Sequence, residues 1–376
     1  MSRIIQFGTS RFLQAHVDLF IHEAREAGQP VGPIAVVQAS GSSDRTGRVA
    51  AFGRPEGYPV IVRGMEDGKP VERTVTVRSV DRGLSAAAHW PELVELFVNE
   101  AATIVSNMGD TGYAVAGEDR TPALLEAASA PASFPGKLTA LLFQRWRRGA
   151  KPLTVLPCEL ITGNGRVLRD TVLGLAADAG APAEFAAWLN DGVIWADTLV
   201  DRIVSEPIEP VGAVAEPYAL WAIRNQPGLA APCLHPSLVM TDDLEPFERL
   251  KLHILNLGHT VLADLWKNEG RPAGETVREC LADPAVAGRI DQLYRTEVIP
   301  GFALRGMEAP AKDYVATTMQ RFLNPFLDHR IADIAQNHAA KAERRIAAFQ
   351  GWVAKAGTAP AMPLLDGVLA RARAQG

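Results

Sequence analysis

Two kinds of hydrophobic pattern divide the chain. In the first half, short apolar runs of strand length alternate with stretches whose apolar residues recur every three or four positions, as strands feeding helices do. Residues 4–7 form one such run. It closes at Gly8-Thr9-Ser10-Arg11-Phe12, after which Phe12, Leu13, Val17, Phe20, Ile21 and Ala24 mark one face of a helix ending at Gly28. Residues 32–39 read as a second parallel strand, buried on both faces. Residues 59–65 and 72–80, joined by Glu66-Asp-Gly-Lys, read as an inserted β-hairpin. A helix over 91–102, strands over 102–107 and 153–160 with a helix over 135–146 between them, helices over 166–180 and 183–190, and a strand over 192–204 continue the alternation.

A stretch rich in proline and valine, 206–216, reads as a connection. The pattern therefore predicts an α/β, Rossmann-like dinucleotide-binding domain over 1–205 and a mostly α-helical catalytic and substrate domain over 206–376. In the second domain only 232–240 departs from helix, with helices over 274–281, 285–296, 312–322, 328–355 and 363–374.

The helix over 248–266 carries the chemistry. Leu250, Ile254, Leu257, Val261, Leu262 and Leu265 give it an apolar face. At about 100° of turn per residue, Lys251, His259 and Asn256 fall near ~0°, ~80° and ~140°, one arc holding an amine, an imidazole and an amide. Such a trio suits oxidation of a secondary alcohol or the reverse. The hydroxyl proton needs a base near neutrality, which burial can make of a lysine, while Asn256 and His259 hold the oxygen and stabilise alkoxide character. His253, near ~200° on the same count, lies off the arc and reads as a packed histidine.

At the other end of the chain, strand, glycine turn and helix make the opening of a mononucleotide-binding unit. Gly8 takes the first glycine place, Ser10 the second and Leu13 the third. Gly8 allows the tight turn, Ser10 is small enough for a pyrophosphate to approach, and the helix start at Thr9, Arg11 and Phe12 offers free N–H groups. The second strand ends in Gln38-Ala-Ser40-Gly-Ser-Ser-Asp44-Arg45, without the carboxylate that holds an NAD ribose at the strand end. Asp44 is the nearest acid, and the serines with an arginine would also suit a 2′-phosphate, so NAD and NADP both stay open. Asn107 and Asp110, at the end of a further strand, are cofactor candidates of second rank.

Composition narrows the partners. The chain has 376 residues, 47% of them apolar, enough for two full cores. Its net charge of −5 comes from interspersed charges, which argues against nucleic acid. Cys158, Cys233 and Cys280 are far apart, so neither a disulfide framework nor a thiolate zinc site is expected, and a reducing cytoplasm fits. No signal-peptide pattern and no apolar run approaching the ~20 residues of a membrane span is present, so no membrane partner is expected.

Lys-x4-Asn-x2-His on a helix after a dinucleotide-binding half resembles the polyol-specific long-chain dehydrogenase/reductase family, the mannitol dehydrogenases and their sugar-acid relatives. The resemblance implies that Lys251 is the general base, that Asn256 and His259 bind the reacting oxygen, that Glu248 gates proton exit, that no metal takes part, and that NAD is the commoner cofactor. The family's Gly-x-Gly-x-Phe turn is similar to residues 8–12. Pro157-Cys158-Glu159-Leu160-Ile161, followed by Asn164-Gly165, looks like the family's tagaturonate-reducing branch, where the mannitol branch has Asp-Asn at 159–160. Glu159 reads equally as a substrate or cofactor ligand and as the partner of a buried arginine. Val200-Asp201-Arg202-Ile203 implies that Asp201 lies at the sugar end, with Arg202 in a structural ion pair. Arg321-Phe-Leu-Asn324-Pro325 implies that Arg321 binds substrate hydroxyls or a carboxylate, for which its two-pronged fork is suited. His329 is a further substrate candidate, and Lys341, Arg344 and Arg345 read as a solvated helix face. The resulting expectation is an NAD(P)-dependent enzyme interconverting a ketouronate and its aldonate. Its alternatives are an alditol/ketose dehydrogenase of the mannitol type and a non-catalytic NAD(P)-binding protein.

Overall fold

The computed structural model describes residues 3–40, 46–109, 111–358 and 360–374. Asp44 and Asp110 lie outside the described residues. Strands β1 (Arg3–Phe7), β2 (Ile34–Gln38), β3 (Tyr58–Glu66), β4 (Lys69–Val77), β5 (Val80–Ser85), β6 (Ala101–Ser106), β7 (Leu153–Pro157) and β8 (Val193–Trp195) come first in the chain. Six of them form one parallel sheet in the order β5-β2-β1-β6-β7-β8. The alternation of a strand splits its residues between two cores. Ile5, Phe7, Val37, Ile104 and Val155 join one cluster, and Ile4, Val36, Val105 and Leu156 the other. This is why these strands read as unbroken apolar runs. The chain leaves β1 for β2 on one side and returns to β6 on the other, so the strand order reverses between β1 and β6. In open α/β sheets ligands bind outside the strand ends at such a switch point.

The expected hairpin is β3 and β4, but the segment after it does not stop there. β5 leaves the hairpin and becomes the parallel edge of the main sheet beside β2. The region after 204 also differs from expectation. β9 (Thr198–Asp201), β10 (Val204–Pro207), β11 (Ala213–Ala215), β12 (Leu220–Arg224) and β13 (Leu238–Thr241) build two more sheets, ordered β10-β11-β3-β4 and β13-β12-β9.

By compactness the chain forms two units. One comprises residues to Val62, Arg73–Ala215 and Ala219–Leu244; the other Arg63–Glu72, Glu216–Tyr218 and Glu245–Gly376. The changeover thus falls at 244, not near 205, because β11 pairs with β3 and β12 pairs with β9, holding the expected connection in the first unit. The second unit is helical around a core that includes Ile254, Leu257, Leu262, Ile290, Val298, Phe302, Phe349 and Leu365. The single helix expected over 328–355 is broken: Asn337 is left-handed at φ 54°, between helices Ile331–Ile334 and His338–Ala342. Among the described residues no helix is long and apolar enough to cross a membrane.

Candidate active site

The nucleotide end is built at the switch point. Gly8 follows β1 with φ 115°, and a Cβ there would meet the Asn107 carbonyl oxygen at 2.6 Å. Only glycine allows both the angle and the approach. Ser10 caps the helix Arg11–Gln14 by accepting from the Leu13 amide at 3.4 Å. That helix is a single turn, so anion binding here draws on free N–H groups more than on a macrodipole. The Ser10 hydroxyl reaches Asn107 Oδ1 at 3.4 Å, and Asn107 Nδ2 donates to the Cys158 carbonyl at 2.7 Å. These bonds tie together the ends of β1, β6 and β7.

A cavity of about 530 Å³ opens over this turn. Of the residues expected there, Gly8, Thr9, Ser10, Arg11, Ser40 and Asn107 line it. Phe12 instead stacks on the His16 ring, with centroids 4.8 Å apart. Arg48 and Glu209 also line the cavity, and neither was expected from sequence. The helix that carries Arg48, Thr46–Phe52, has only seven residues.

Glu159 takes its hydrogen bonds from donors other than a buried arginine. It is buried, and its oxygens accept from Ser106 Oγ at 3.0 Å, the Met108 amide at 3.1 Å and Tyr113 Oη at 3.0 Å. Burial pushes its pKa up, and those hydrogen bonds oppose the shift. Its chemistry is to hold 106–113 against the end of the sheet. Asn164 is a second knot: its Nδ2 donates to the carbonyls of Pro157, Glu159 and Thr198, and its Oδ1 accepts from the amides of Gly165 and Thr198. Leu160 is 72% exposed. Asp201 ends β9 as a buried carboxylate, and Arg202 donates to the Ala15 carbonyl at 2.6 Å.

In the second unit the helix of Lys251 is not regular. Helix Glu245–Leu250 passes into a π turn, Lys251–Leu255, before α-helix resumes over Asn256–Asn268. The Asn256 amide donates to the Lys251 carbonyl, five residues back. A π turn inserts one residue into an α-helix. It removes about 100° of rotation, so Asn256 stands about 40° from Lys251, not about 140°, and His259 about 20° to the other side. The expected arc contracts to a narrow stripe. Lys251 and Asn256 are half-buried, and His259 is buried with its ring 4.6 Å from Phe322 and 4.9 Å, edge-on, from His329. Glu248, half-buried, precedes Lys251 by three residues and so shares its side of the helix. His329 is half-buried, and burial lowers its pKa, with Asp333 opposing and Lys341 reinforcing.

Side chains from elsewhere in the unit hold the π turn. Tyr294 Oη donates to the Ile254 carbonyl at 3.0 Å, and a Cβ on Gly258 would lie 2.0 Å from that oxygen, which makes Gly258 obligatory. Arg345 donates to the Asn256 carbonyl at 3.2 Å and to Thr260 Oγ1 at 3.1 Å. In return its own carbonyl lies 3.0 Å from Nδ1 of buried His253. Burial pulls His253 down to about 4, so the ring is neutral, with Nδ1–H directed at that carbonyl. His253 is thus structural, as expected. Arg345 is not on a solvated face: burial and the charge of Arg344 bring its guanidinium down to about 10. Lys341 donates to the Ile334 carbonyl at 2.8 Å, and burial lowers its pKa too. Tyr294 and Arg345 themselves stand in π turns, Tyr294–Val298 and Glu343–Ala347.

Arg321 departs most from its expected role. Its fork is engaged by Glu216, Nε to Oε2 at 3.0 Å and Nη2 to Oε1 at 2.8 Å, with both side chains buried. Nη1 donates to Tyr314 Oη at 3.2 Å, and the guanidinium lies over the Tyr218 ring at 4.6 Å. Sequence spacing carries no sign of Glu216.

A doubly wound parallel sheet with a glycine turn at its switch point is the frame of a dinucleotide-dependent dehydrogenase, and the family match makes it one that acts on secondary alcohols of sugars with a nicotinamide dinucleotide. Residues 2–232 match the mannitol dehydrogenase Rossmann domain and 243–362 the mannitol dehydrogenase C-terminal domain: the chain belongs to the mannitol dehydrogenase family. It is 32% identical over 369 residues to an altronate oxidoreductase of Enterobacter sp. (strain 638), covering 92% of this chain and 74% of that one. Altronate oxidoreductases of Halalkalibacterium halodurans (31% over 387 residues, 95% and 72% covered) and Bacillus subtilis (30% over 369 residues, 91% and 73% covered) are similar. The fold resembles a substrate-free D-sorbitol dehydrogenase (TM-score 0.78, 22% identity, 94% and 75% covered) and the Pseudomonas fluorescens mannitol 2-dehydrogenase in ternary complex with NAD and D-mannitol (TM-score 0.73, 21% identity, 99% and 79% covered).

Proposed function

We propose that the protein is an NAD-dependent, metal-independent oxidoreductase that interconverts a ketouronate and its aldonate, of the tagaturonate/altronate kind. The observation that carries the chemistry is the stripe of Lys251, Asn256 and His259 created by the π turn. The aldonate branch is supported by the similarity to altronate oxidoreductases and by the Cys158-Glu159-Leu160 segment. Residues at the turn fit a dinucleotide: Gly8 leaves no room for a Cβ, and the cavity above it is lined by Arg11 and, among the described residues, one carboxylate, Glu209. Gly8, Thr9, Ser10 and Arg11 would hold the pyrophosphate, with Ser40 and Asn107 beside the riboses. The chemistry NAD supplies when bound is to take a hydride from the carbinol carbon or to return it. Lys251 Nζ removes the hydroxyl proton as the C–H bond breaks, and gives it back in reduction. Asn256 and His259 donate to the oxygen as negative charge gathers on it. Glu248 passes the proton from Lys251 to water, and Asp201 and His329 orient the hydroxyls.

A second reading, an alditol/ketose pair, is favoured by one observation: the Arg321 fork expected to take a carboxylate is held by Glu216. The absorbance of NADH, followed with a panel of ketouronates and ketoses, separates the two. Turnover with ketouronates supports the first reading, and turnover confined to neutral ketoses selects the second. Lys251→Ala should lower kcat by at least about a hundredfold while leaving NADH binding unchanged, and wild-type turnover in that variant would end the mechanism. Dialysis against EDTA should leave activity intact; its loss would overturn metal independence.

A further inference from the structure

Among the described residues, those lining the adenosine end of the cofactor cavity are unlike those that select NAD. A carboxylate at the end of β2 binds the ribose diol and repels a 2′-phosphate. Here β2 ends at Gln38, and the next described residues are Ala39 and Ser40. The Gln38 amide is turned inward, donating to the Ser40 carbonyl at 3.1 Å and to Ser40 Oγ at 3.4 Å, which sets that hydroxyl at the cavity wall. Arg48 lines the same cavity. Its Nε is buried with no hydrogen-bond partner, and no carboxylate among the described residues pairs with its guanidinium.

Arg48 is also held in place. Its helix, Thr46–Phe52, lies so close to β5 that a Cβ on Gly83 would sit 2.0 Å from the Val49 carbonyl. The backbone beside Arg48 therefore cannot move away without opening that contact. A buried guanidinium nitrogen without a partner is costly to leave unmade. A phosphate would relieve that cost through charge-assisted bonds. Among the described residues, the other charged ones on the cavity are Arg11, at the pyrophosphate turn, and Glu209.

We infer that Arg48 and Ser40 form a subsite for the 2′-phosphate of an adenine dinucleotide, so that the enzyme takes NADP as well as NAD. This rests on the reading of the cavity as the dinucleotide site.

Titration of the full chain with 5′-AMP and 2′,5′-ADP, followed by calorimetry, tests it without any substrate. The wild type should bind 2′,5′-ADP about tenfold more tightly than 5′-AMP. Arg48→Gln should remove that preference while leaving 5′-AMP within about twofold, and Arg48→Lys should restore part of it. The same variants should shift NADPH binding and spare NADH. Equal or weaker binding of 2′,5′-ADP in the wild type, or loss of both nucleotides alike in Arg48→Gln with the wild-type circular dichroism spectrum, would overturn the subsite and leave the dinucleotide reading standing. Failure of the wild type to bind either nucleotide or NADH would overturn both.

Discussion

The turn at Gly8 and the helix at Lys251 prepare their chemistry in opposite ways. The turn is made by backbone geometry: a glycine with φ 115°, pressed on the Asn107 carbonyl, leaves N–H groups and small residues facing a cavity. The helix is made by a fault in regular geometry, a π turn that side chains far away in sequence keep in place. A nucleotide carries its own charges and needs a shaped opening. A proton transfer needs three side chains in line, and an ideal α-helix would spread them over an arc of about 140°.

Removing both side-chain bonds that hold the π turn, in the double variant Tyr294→Phe, Arg345→Met, tests that contrast hardest. Without those two bonds the helix relaxes to α-helical register with all its residues kept, which turns Lys251 about 100° away from Asn256 and His259. kcat should fall by roughly a hundred- to ten-thousandfold, while NADH affinity, which depends on the turn at Gly8, stays within about twofold. Wild-type kcat in the double variant would show that the π turn is incidental; a parallel loss of NADH binding would show that the two regions are not separable.

The buried pair of Arg321 and Glu216 in the second unit gives the next effect. Arg321→Ala leaves Glu216 as a buried carboxylate without its bidentate partner, which should destabilise the protein by about 3–5 kcal/mol in denaturant unfolding. The double variant Arg321→Met, Glu216→Gln should recover most of that loss. If Arg321→Ala unfolds like the wild type and only raises KM for carboxylate substrates, the arginine belongs to the substrate after all.

What could be read from sequence follows the range of the forces involved. The Gly8 turn and the parallel strands were legible because run length, glycine position and two-sided burial are local. The identities of Lys251, Asn256 and His259 were legible too, but not their alignment. The π turn depends on Tyr294 and Arg345, which no spacing rule links to Ile254 and Asn256. Arg321 read as a ligand for the same reason, because Glu216 lies 105 residues away. β10 to β13 have three to five residues each, too short for a periodicity window, and their partners in β3 and β9 are distant in sequence.

The last effect expected lies in the first unit, against β1 and β3. Asp18 is fully buried under the main sheet: Tyr58 Oη donates to its Oδ2 at 2.6 Å and Gln6 Nε2 to the same oxygen at 3.5 Å, while Oδ1 has no partner. Burial raises its pKa to about 7, against the pull of those two donors. A carboxyl whose folded pKa is raised contributes its full stability below the unfolded value, about 3.9, and loses it as pH climbs through the folded one. Wild-type stability should therefore fall, relative to Asp18→Asn, between about pH 4 and 7 and level off above. Asparagine keeps an acceptor for Tyr58 and carries no charge at any pH. Denaturant unfolding of both proteins across that range measures the difference. If the two curves run parallel, Asp18 is ionised throughout and its partners, not its proton, hold it in place.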